Sequence, residues 1–123
     1  MKIHIISPEA SRDLSEIIDY FVTRNIDAGE RFVDEFEKKC KYLANFPNMG
    51  RSYEYIRVDL QGVPLDGYVI FYWVINGGIE IVRVVSGYRN LESLFTESMD
   101  DWNFISRKDA KEEYKKFNPL LNQ

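Results

Sequence analysis

The stretch IVRVVSGYRN, residues 81–90, holds two guanidinium groups and a phenol within seven positions. Arg83 interrupts an apolar run of Ile81, Val82, Val84 and Val85. Gly87 ends the run, and Tyr88, Arg89 and Asn90 follow at once. A guanidinium in such surroundings has two uses. It pairs with a carboxylate from a helix or the C-terminal tail, a structural role, or it serves a partner on an uncovered sheet face. Both readings of Arg83 stand at this point. Arg89, just past the run, reads as functional, and Tyr88 and Asn90 would add contact area beside it. Other chemistry is sparse. His4 is the single histidine and lies in a β-branched run, and Cys40 falls on an apolar helical stripe as a core thiol would. One histidine and one cysteine make neither a zinc site nor a Cys–His couple. The chain has no GxGxxG and no phosphate-binding loop, and its carboxylates lie mainly on solvated helix faces. No metal and no cofactor is expected.

The elements that must position these residues follow from periodicity. KIHIIS is a short β-branched run, and Ser7-Pro8 then signals a helix start, with serine as N-cap and proline in the first turn. Leu14, Ile17, Ile18, Phe21 and Val22 make one helical stripe. Asp27 and Glu30 have capping-box spacing for a second helix, striped by Phe32, Val33, Phe36, Cys40, Leu43 and Ala44 and ended by FPNMG. So short a link makes the two helices antiparallel. YEYIRVDL, GYVIFYWVI and IEIVRVVSG then read as three strands, the last two joined by Asn76-Gly77, a strong hairpin signal. NLESLF suggests a helical turn, and a charged helix is expected from Ser106 to Asn118-Pro119. The fold class is α+β: an N-terminal strand, an antiparallel helical hairpin, a three-strand antiparallel meander, and a C-terminal helical extension.

Both faces of the long strand are apolar. Tyr68, Ile70, Tyr72 and Val74 take one, and Val69, Phe71, Trp73 and Ile75 the other. Two helices cover one face, so the other must meet the tail, a second copy or a different protein. If Asn76-Gly77 is a two-residue turn, Arg83 lies opposite Ile70, on the face of Tyr68 and Tyr72, whose phenol oxygens would accept its hydrogen bonds. A three-residue loop would move it to the face of Phe71 and Trp73. The first register is preferred, because a buried guanidinium without acceptors is costly.

The whole chain has 123 residues, 45% of them hydrophobic, and a net charge of −4. That suits one compact domain, and the acidity argues against general binding to phosphate backbones. No apolar run approaches the ~20 residues of a membrane span. The N-terminus does not read as a signal peptide, and the single cysteine cannot form an internal disulfide. The expected location is the cytoplasm, with no membrane partner and no direct sequence-specific binding of nucleic acid.

SPEASRDLSEIIDYF, LANFPNMGR, GYVIFYWV and IEIVRVVSGYRNLESLF, taken in order, resemble the RelE/ParE superfamily of toxins from type II toxin–antitoxin modules. The resemblance spans about residues 3 to 95. It implies a toxin domain over 1–95, with 96–123 as an extension packed on the domain or on a partner. RelE-like members are ribosome-dependent mRNA endonucleases, and ParE-like members bind and inhibit DNA gyrase. RelE-like proteins commonly carry an arginine where this chain has Val69, a tyrosine where it has Phe95, and lysines where Tyr53–Asp59 offers only Arg57. Arg83, Gly87, Arg89 and Leu91 fit the ParE-like pattern, although many relatives have histidine, arginine and aspartate where this chain has Ser86, Tyr88 and Asn90, and are basic overall. The resemblance therefore implies a ParE-like, non-enzymatic toxin, with a cognate antitoxin, possible contact with DNA gyrase, and a possible homodimer as its partnerships. Arg83, Tyr88, Arg89, Asn90, Tyr68 and Tyr72 would be its partner-binding residues. The alternative is an mRNA endonuclease using Arg57, Arg83, Arg89 and Tyr88. A second alternative is a solitary, non-toxic member that acts only in protein complexes. The tail is expected to shield the open sheet face and to compete there with the antitoxin.

Overall fold

Ser7 and Pro8 start the first helix as their types require. The Ser7 hydroxyl accepts a hydrogen bond from Ala10 N at 3.0 Å, and the proline occupies the first turn, where its missing N–H is not needed. The computed structural model describes residues 2–87. In chain order they form β1 (Ile3–Ile6), α1 (Pro8–Val22), α2 (Ile26–Asn45), β2 (Arg51–Ser52), β3 (Gln61–Leu65), β4 (Tyr68–Ile75) and β5 (Gly78–Ser86). The N-cap of α2 is Asn25, whose Oδ1 accepts from Ala28 N at 3.1 Å. Asp27 therefore sits in the first turn and is not the cap its spacing suggested.

The strands make one sheet in the order β1-β5-β4-β3-β2. β1 runs parallel to β5, and every other pair is antiparallel. The helical hairpin covers one face: Ala10, Ile17, Phe32, Phe36, Cys40 and Leu43 pack with Ile70, Tyr72, Ile79, Ile81 and Val84. Val22 and Val33, expected on the buried stripes, are exposed. The opposite face carries a second cluster of Phe71, Trp73, Ile75, Val82 and Val85, joined by Leu60 and flanked by Tyr53 and Ile56. Both faces of β4 and β5 are therefore buried, as their doubly apolar sequences require.

The meander is confirmed, with its first strand moved. Residues 53–60 are not a strand. Tyr53 N donates to Leu60 O at 2.8 Å, Ile56 N and Arg57 N both donate to Tyr53 O, and Asp59 turns through a left-handed φ of 65°. These bonds fold the segment onto itself, and Tyr53, Ile56 and Leu60 join the second cluster while Tyr55 and Val58 stay exposed. The strand is Gln61–Leu65 instead. It tolerates Pro64 because β2 pairs only with Gln61 and Gly62, which leaves the outer edge at Pro64 open. Asp66 and Gly67 join it to β4 with φ of 49° and 83°, the two positive values of a type I′ turn. Asn76-Gly77 is the expected two-residue loop, with Ile75 paired to Gly78. Only Gly77 there has positive φ, so that turn is not type I′. The helical turn expected at 90–95, the helix expected after Ser106 and the boundary at 95/96 lie outside the described residues.

FPNMG has a structural reason that becomes visible only in three dimensions. Tyr72 is fully buried, and its hydroxyl donates to Pro47 O at 2.8 Å and accepts from Gly50 N at 2.9 Å. The exit of α2 is thereby fixed to the middle of the sheet. A Cβ on Gly50 would stand 2.4 Å from that hydroxyl oxygen, so no side chain fits. Burial pushes the Tyr72 phenol pKa up, and the Gly50 bond partly opposes this. Tyr72→Phe should cost about 1–3 kcal/mol, the penalty for stranding a buried donor and acceptor. Gly50→Ala should cost about 1–3 kcal/mol through overpacking. Urea titrations of both variants would check this, and a midpoint unchanged in either would refute that half of the account.

Candidate functional site

β1 has four residues and β5 nine, so β1 stops pairing at Ile81, and among the described residues no strand pairs the outer edge of β5 beyond it. An unpaired backbone edge in so buried a strand is costly. The start of α1 replaces the missing strand. Ser7 N donates to Ile81 O at 2.9 Å, and Ser7 Oγ donates to Val82 O at 3.1 Å. Two turns further along, Asp13 Oδ2 accepts from Val84 N at 2.9 Å.

The same carboxylate holds Arg83. Nε donates to Asp13 Oδ2 at 2.7 Å and Nη2 to Oδ1 at 3.1 Å, a two-pronged pair whose side chains are 10% and 13% exposed. The register differs from the expected one for a definite reason. Up to Tyr72↔Ile81 the ladder follows the two-residue turn. It then inserts one residue of β5, so Arg83 stands opposite Phe71 and not Ile70. That β-bulge re-aims the side chain. The carboxylate of Asp13 takes the place expected for the phenol oxygens of Tyr68 and Tyr72, and the helix–carboxylate reading of Arg83 describes the geometry.

Tyr72, expected on a partner-facing surface, is enclosed beneath the helices. Tyr68 is half-buried and packs edge-on against Phe32 with 5.4 Å between ring centres. Burial, and secondarily Tyr20, push its phenol pKa up. Tyr68 pairs with Ser86 at the end of the ladder, and Gly87 N donates to Gly67 O at 2.9 Å. The chain therefore leaves β5 beside the Asp66-Gly67 turn and Tyr68. Tyr88, Arg89 and Asn90, which follow, lie outside the described residues.

A chain of ring contacts, Tyr20 to Phe21, Phe21 to Phe32 and Phe32 to Tyr68, connects this exit to the end of α1. Tyr20 is half exposed and carries the Arg24 guanidinium 3.9 Å over its ring, and Val22 and Ile26 are exposed alongside. This aromatic and cationic surface was not anticipated. Its signal was Tyr20 and Arg24 at i and i+4, the spacing of facing helical neighbours. Arg57 sits elsewhere, in the loop over the second face, with its N donating to Tyr53 O at 3.2 Å. Val69, where the resemblance would place an arginine, packs against the second cluster.

His4 and Cys40 take the structural roles their neighbours suggested. Burial, the larger influence, lowers the His4 pKa against an opposing push from Glu37. Burial raises the Cys40 thiol to about 12, which suppresses the thiolate. Among the described residues no cluster of three potential ligands could hold a metal, and no helix is long and apolar enough to cross a membrane. A groove of about 630 Å³ opens at the α2 exit between Asn48, Glu54, Asp59 and Gln61, next to the buried Tyr72 hydroxyl that Gly50 and Gln61 engage.

Residues 5–91 match the family of ParE toxins of type II toxin–antitoxin systems, parDE. Among solved structures, a chain described as the chromosomal ParDE toxin–antitoxin system from P. aeruginosa shares the fold at a TM-score of 0.59. It is 19% identical, and the match covers 70% of this chain and 96% of that one. No curated protein matches the sequence significantly.

Arg83→Ala or Asp13→Ala should each destabilise by about 3–5 kcal/mol, because each strands a buried charge. Arg83→Met with Asp13→Leu should cost less than the sum of the two single changes. A double-mutant cycle by chemical denaturation measures this, and strict additivity would show the pair to be uncoupled. His4 gives a pH prediction. Its folded pKa lies below its unfolded value, so the unfolded chain binds the proton more readily. Its contribution is complete above the ordinary histidine range, near pH 6.5, and is lost as pH falls through that range. His4→Gln should flatten the slope of melting temperature with pH there, and an unaltered slope would assign it to other groups.

Proposed function

The chain belongs to the ParE toxin family of type II toxin–antitoxin systems, and from that premise we propose that it inhibits DNA gyrase by binding, without catalysis, and is neutralised by a cognate antitoxin. An antitoxin is the partner that family membership implies. The reading of binding over RNA cleavage is carried by one observation: Arg83 directs Nε and Nη2 to Asp13. Ribonuclease chemistry on a ribose 2′-hydroxyl needs cations placed at a phosphate and a group to move the proton. A guanidinium engaged twice by a carboxylate is poorly placed to neutralise an incoming anion. Val69, packed against the second cluster, offers no cation in its stead.

The partner surface we propose is the exit of β5. Tyr68 and the Tyr20–Arg24 stack present aromatic and cationic groups there, and Tyr88, Arg89 and Asn90 continue the chain from that point. Tyrosine and arginine suit such a role, since they join large contact area to directional hydrogen bonding. Arg83 and Tyr72 support this surface from within.

Purified protein should block gyrase supercoiling and should yield no cuts in mRNA on programmed ribosomes. Arg89→Ala should alter stability by no more than about 0.5 kcal/mol, as surface changes do, yet weaken inhibition or antitoxin binding. Ribosome-dependent cleavage would replace this reading with the endonuclease one. Normal growth on expression, together with uninhibited gyrase, would replace it with a role confined to protein complexes.

A further inference from the structure

β1 ends the sheet on its side. The order β1-β5-β4-β3-β2 puts β5 on one flank of it, and among the described residues no strand lies on the other. Ile3 N donates to Gly77 O and Ser7 N to Ile81 O, so the odd-numbered residues of β1 turn their backbone groups toward β5. Backbone groups alternate sides along a strand, and the N–H and C=O of His4 and Ile6 therefore point outward. Among the described residues no hydrogen bond reaches them. Proteins usually blunt such an edge with lysine, proline or a bulge. Ile3-His4-Ile5-Ile6 contains none of these, and its β-branched composition suits a strand paired on both sides.

The side chains beside this edge carry a second pattern. Ile3 and Ile5 pack toward the second cluster, so His4 and Ile6 face the helical layer, and Ile6 is exposed there. α2 lies over β1. The charges of its Glu37 and Lys41 both reach His4 and act on it in opposite directions, which places both residues by the edge. They stand one helical turn apart and are exposed, as is Val33, one turn before Glu37. The flank of the molecule at β1 therefore joins unpaired backbone groups to exposed apolar side chains and to one charge of each sign.

We propose that β1 pairs with β1 of a second copy of this chain, antiparallel about a twofold axis at Ile5, so that the two sheets join edge to edge. The register follows from the outward groups. An antiparallel ladder bonds facing residues through both of their backbone groups. An axis at Ile5 sets His4 opposite Ile6 of the second copy, and Ile6 opposite its His4, so every outward group of the strand finds a partner. An axis at His4 would leave Ile6 opposite Lys2, outside the strand. The same axis brings the two α2 helices together antiparallel and sets Glu37 of each copy against Lys41 of the other. A second copy is the occupant because the edge is complementary to itself: the backbone groups of His4 and Ile6 match in reverse, and so do the charges of Glu37 and Lys41.

Sedimentation of the full-length protein should show a dimer that dissociates on dilution. Exchange of the His4 and Ile6 amides should slow as the dimer forms, while those of Ile3 and Ile5 stay slow throughout. Ile6→Pro removes an outward N–H and leaves the ladder to β5 intact, the setting in which an edge strand accepts proline. It should raise the dimer dissociation constant by at least about tenfold, equivalent to 1.4 kcal/mol, with an unchanged circular dichroism spectrum. Glu37→Lys and Lys41→Glu lie on the helix surface and test the same contact without touching the strand. Each alone should weaken the dimer, and the two together should restore it. A monomer at every concentration would overturn the proposal. So would a dimer that Ile6→Pro leaves as tight as before, which would place the interface elsewhere. So would a double charge exchange that recovers nothing, since it would remove the antiparallel pairing of the α2 flanks.

Discussion

A strand that outruns its neighbour sets the terms for this fold. Beyond Ile81, no strand among the described residues lies on the outer edge of β5, and Ser7 and Asp13 supply partners from α1. Because those contacts are directional, they fix the helix along the sheet as well as against it. The apolar stripe of α1 then falls on Ile79, Ile81 and Val84. A carboxylate in so sheltered a place would be costly alone. Here each oxygen of Asp13 has a donor, and the countercharge is the guanidinium one position before the amide that it also binds. The ion pair and the edge repair are one device.

Tyr72 does the corresponding work at the other end of the helical layer. Asp13 ties the first helix to β5, and the Tyr72 hydroxyl ties the exit of the second to β4. Between these two polar anchors the packing is apolar and largely non-directional. Burial supplies most of the driving force, while the anchors select one placement among several that would bury similar area. Gly50 belongs to the second anchor through its lack of a Cβ, and this explains a motif that from sequence alone looks like an ordinary helix stop.

The parts legible in the sequence were those governed by local rules. Helical stripes, the serine cap with its proline, and two-residue loops are encoded within a few positions, and α1, α2, β4 and β5 fell where expected. The Asp66-Gly67 turn is just as local a signal, but the strand-like composition of YEYIRVDL places the first strand of the meander ahead of it. That segment has strand composition, yet a bond from Tyr53 N to Leu60 O that closes its two ends together and a left-handed Asp59 make it a loop. Tyr53, Ile56 and Leu60 pack on the second face in place of strand pairing. The bulge was invisible for a different reason. It inserts a single residue in mid-ladder with no glycine to mark it, and it is the unpaired edge beside it, a tertiary fact, that gives the displaced Arg83 its acceptor.

That displacement divides the run from Arg83 to Asn90 into two halves with different roles. Without the bulge, the two-residue turn would set Arg83 opposite Ile70, on the face where Tyr68 and Tyr72 would be its acceptors. With it, the guanidinium is drawn to α1 and becomes part of the frame. The second half starts at Gly87, whose amide is bonded to Gly67 O beside the tight Asp-Gly turn. The point of departure from the sheet is thus held by a rigid hairpin on one side and by the Arg83–Asp13 junction on the other. Tyr68 pairs with Ser86 at the last rung before that point, and Phe32 supports its ring from below. Arg83 therefore helps to set the position of the strand end through its pair with Asp13.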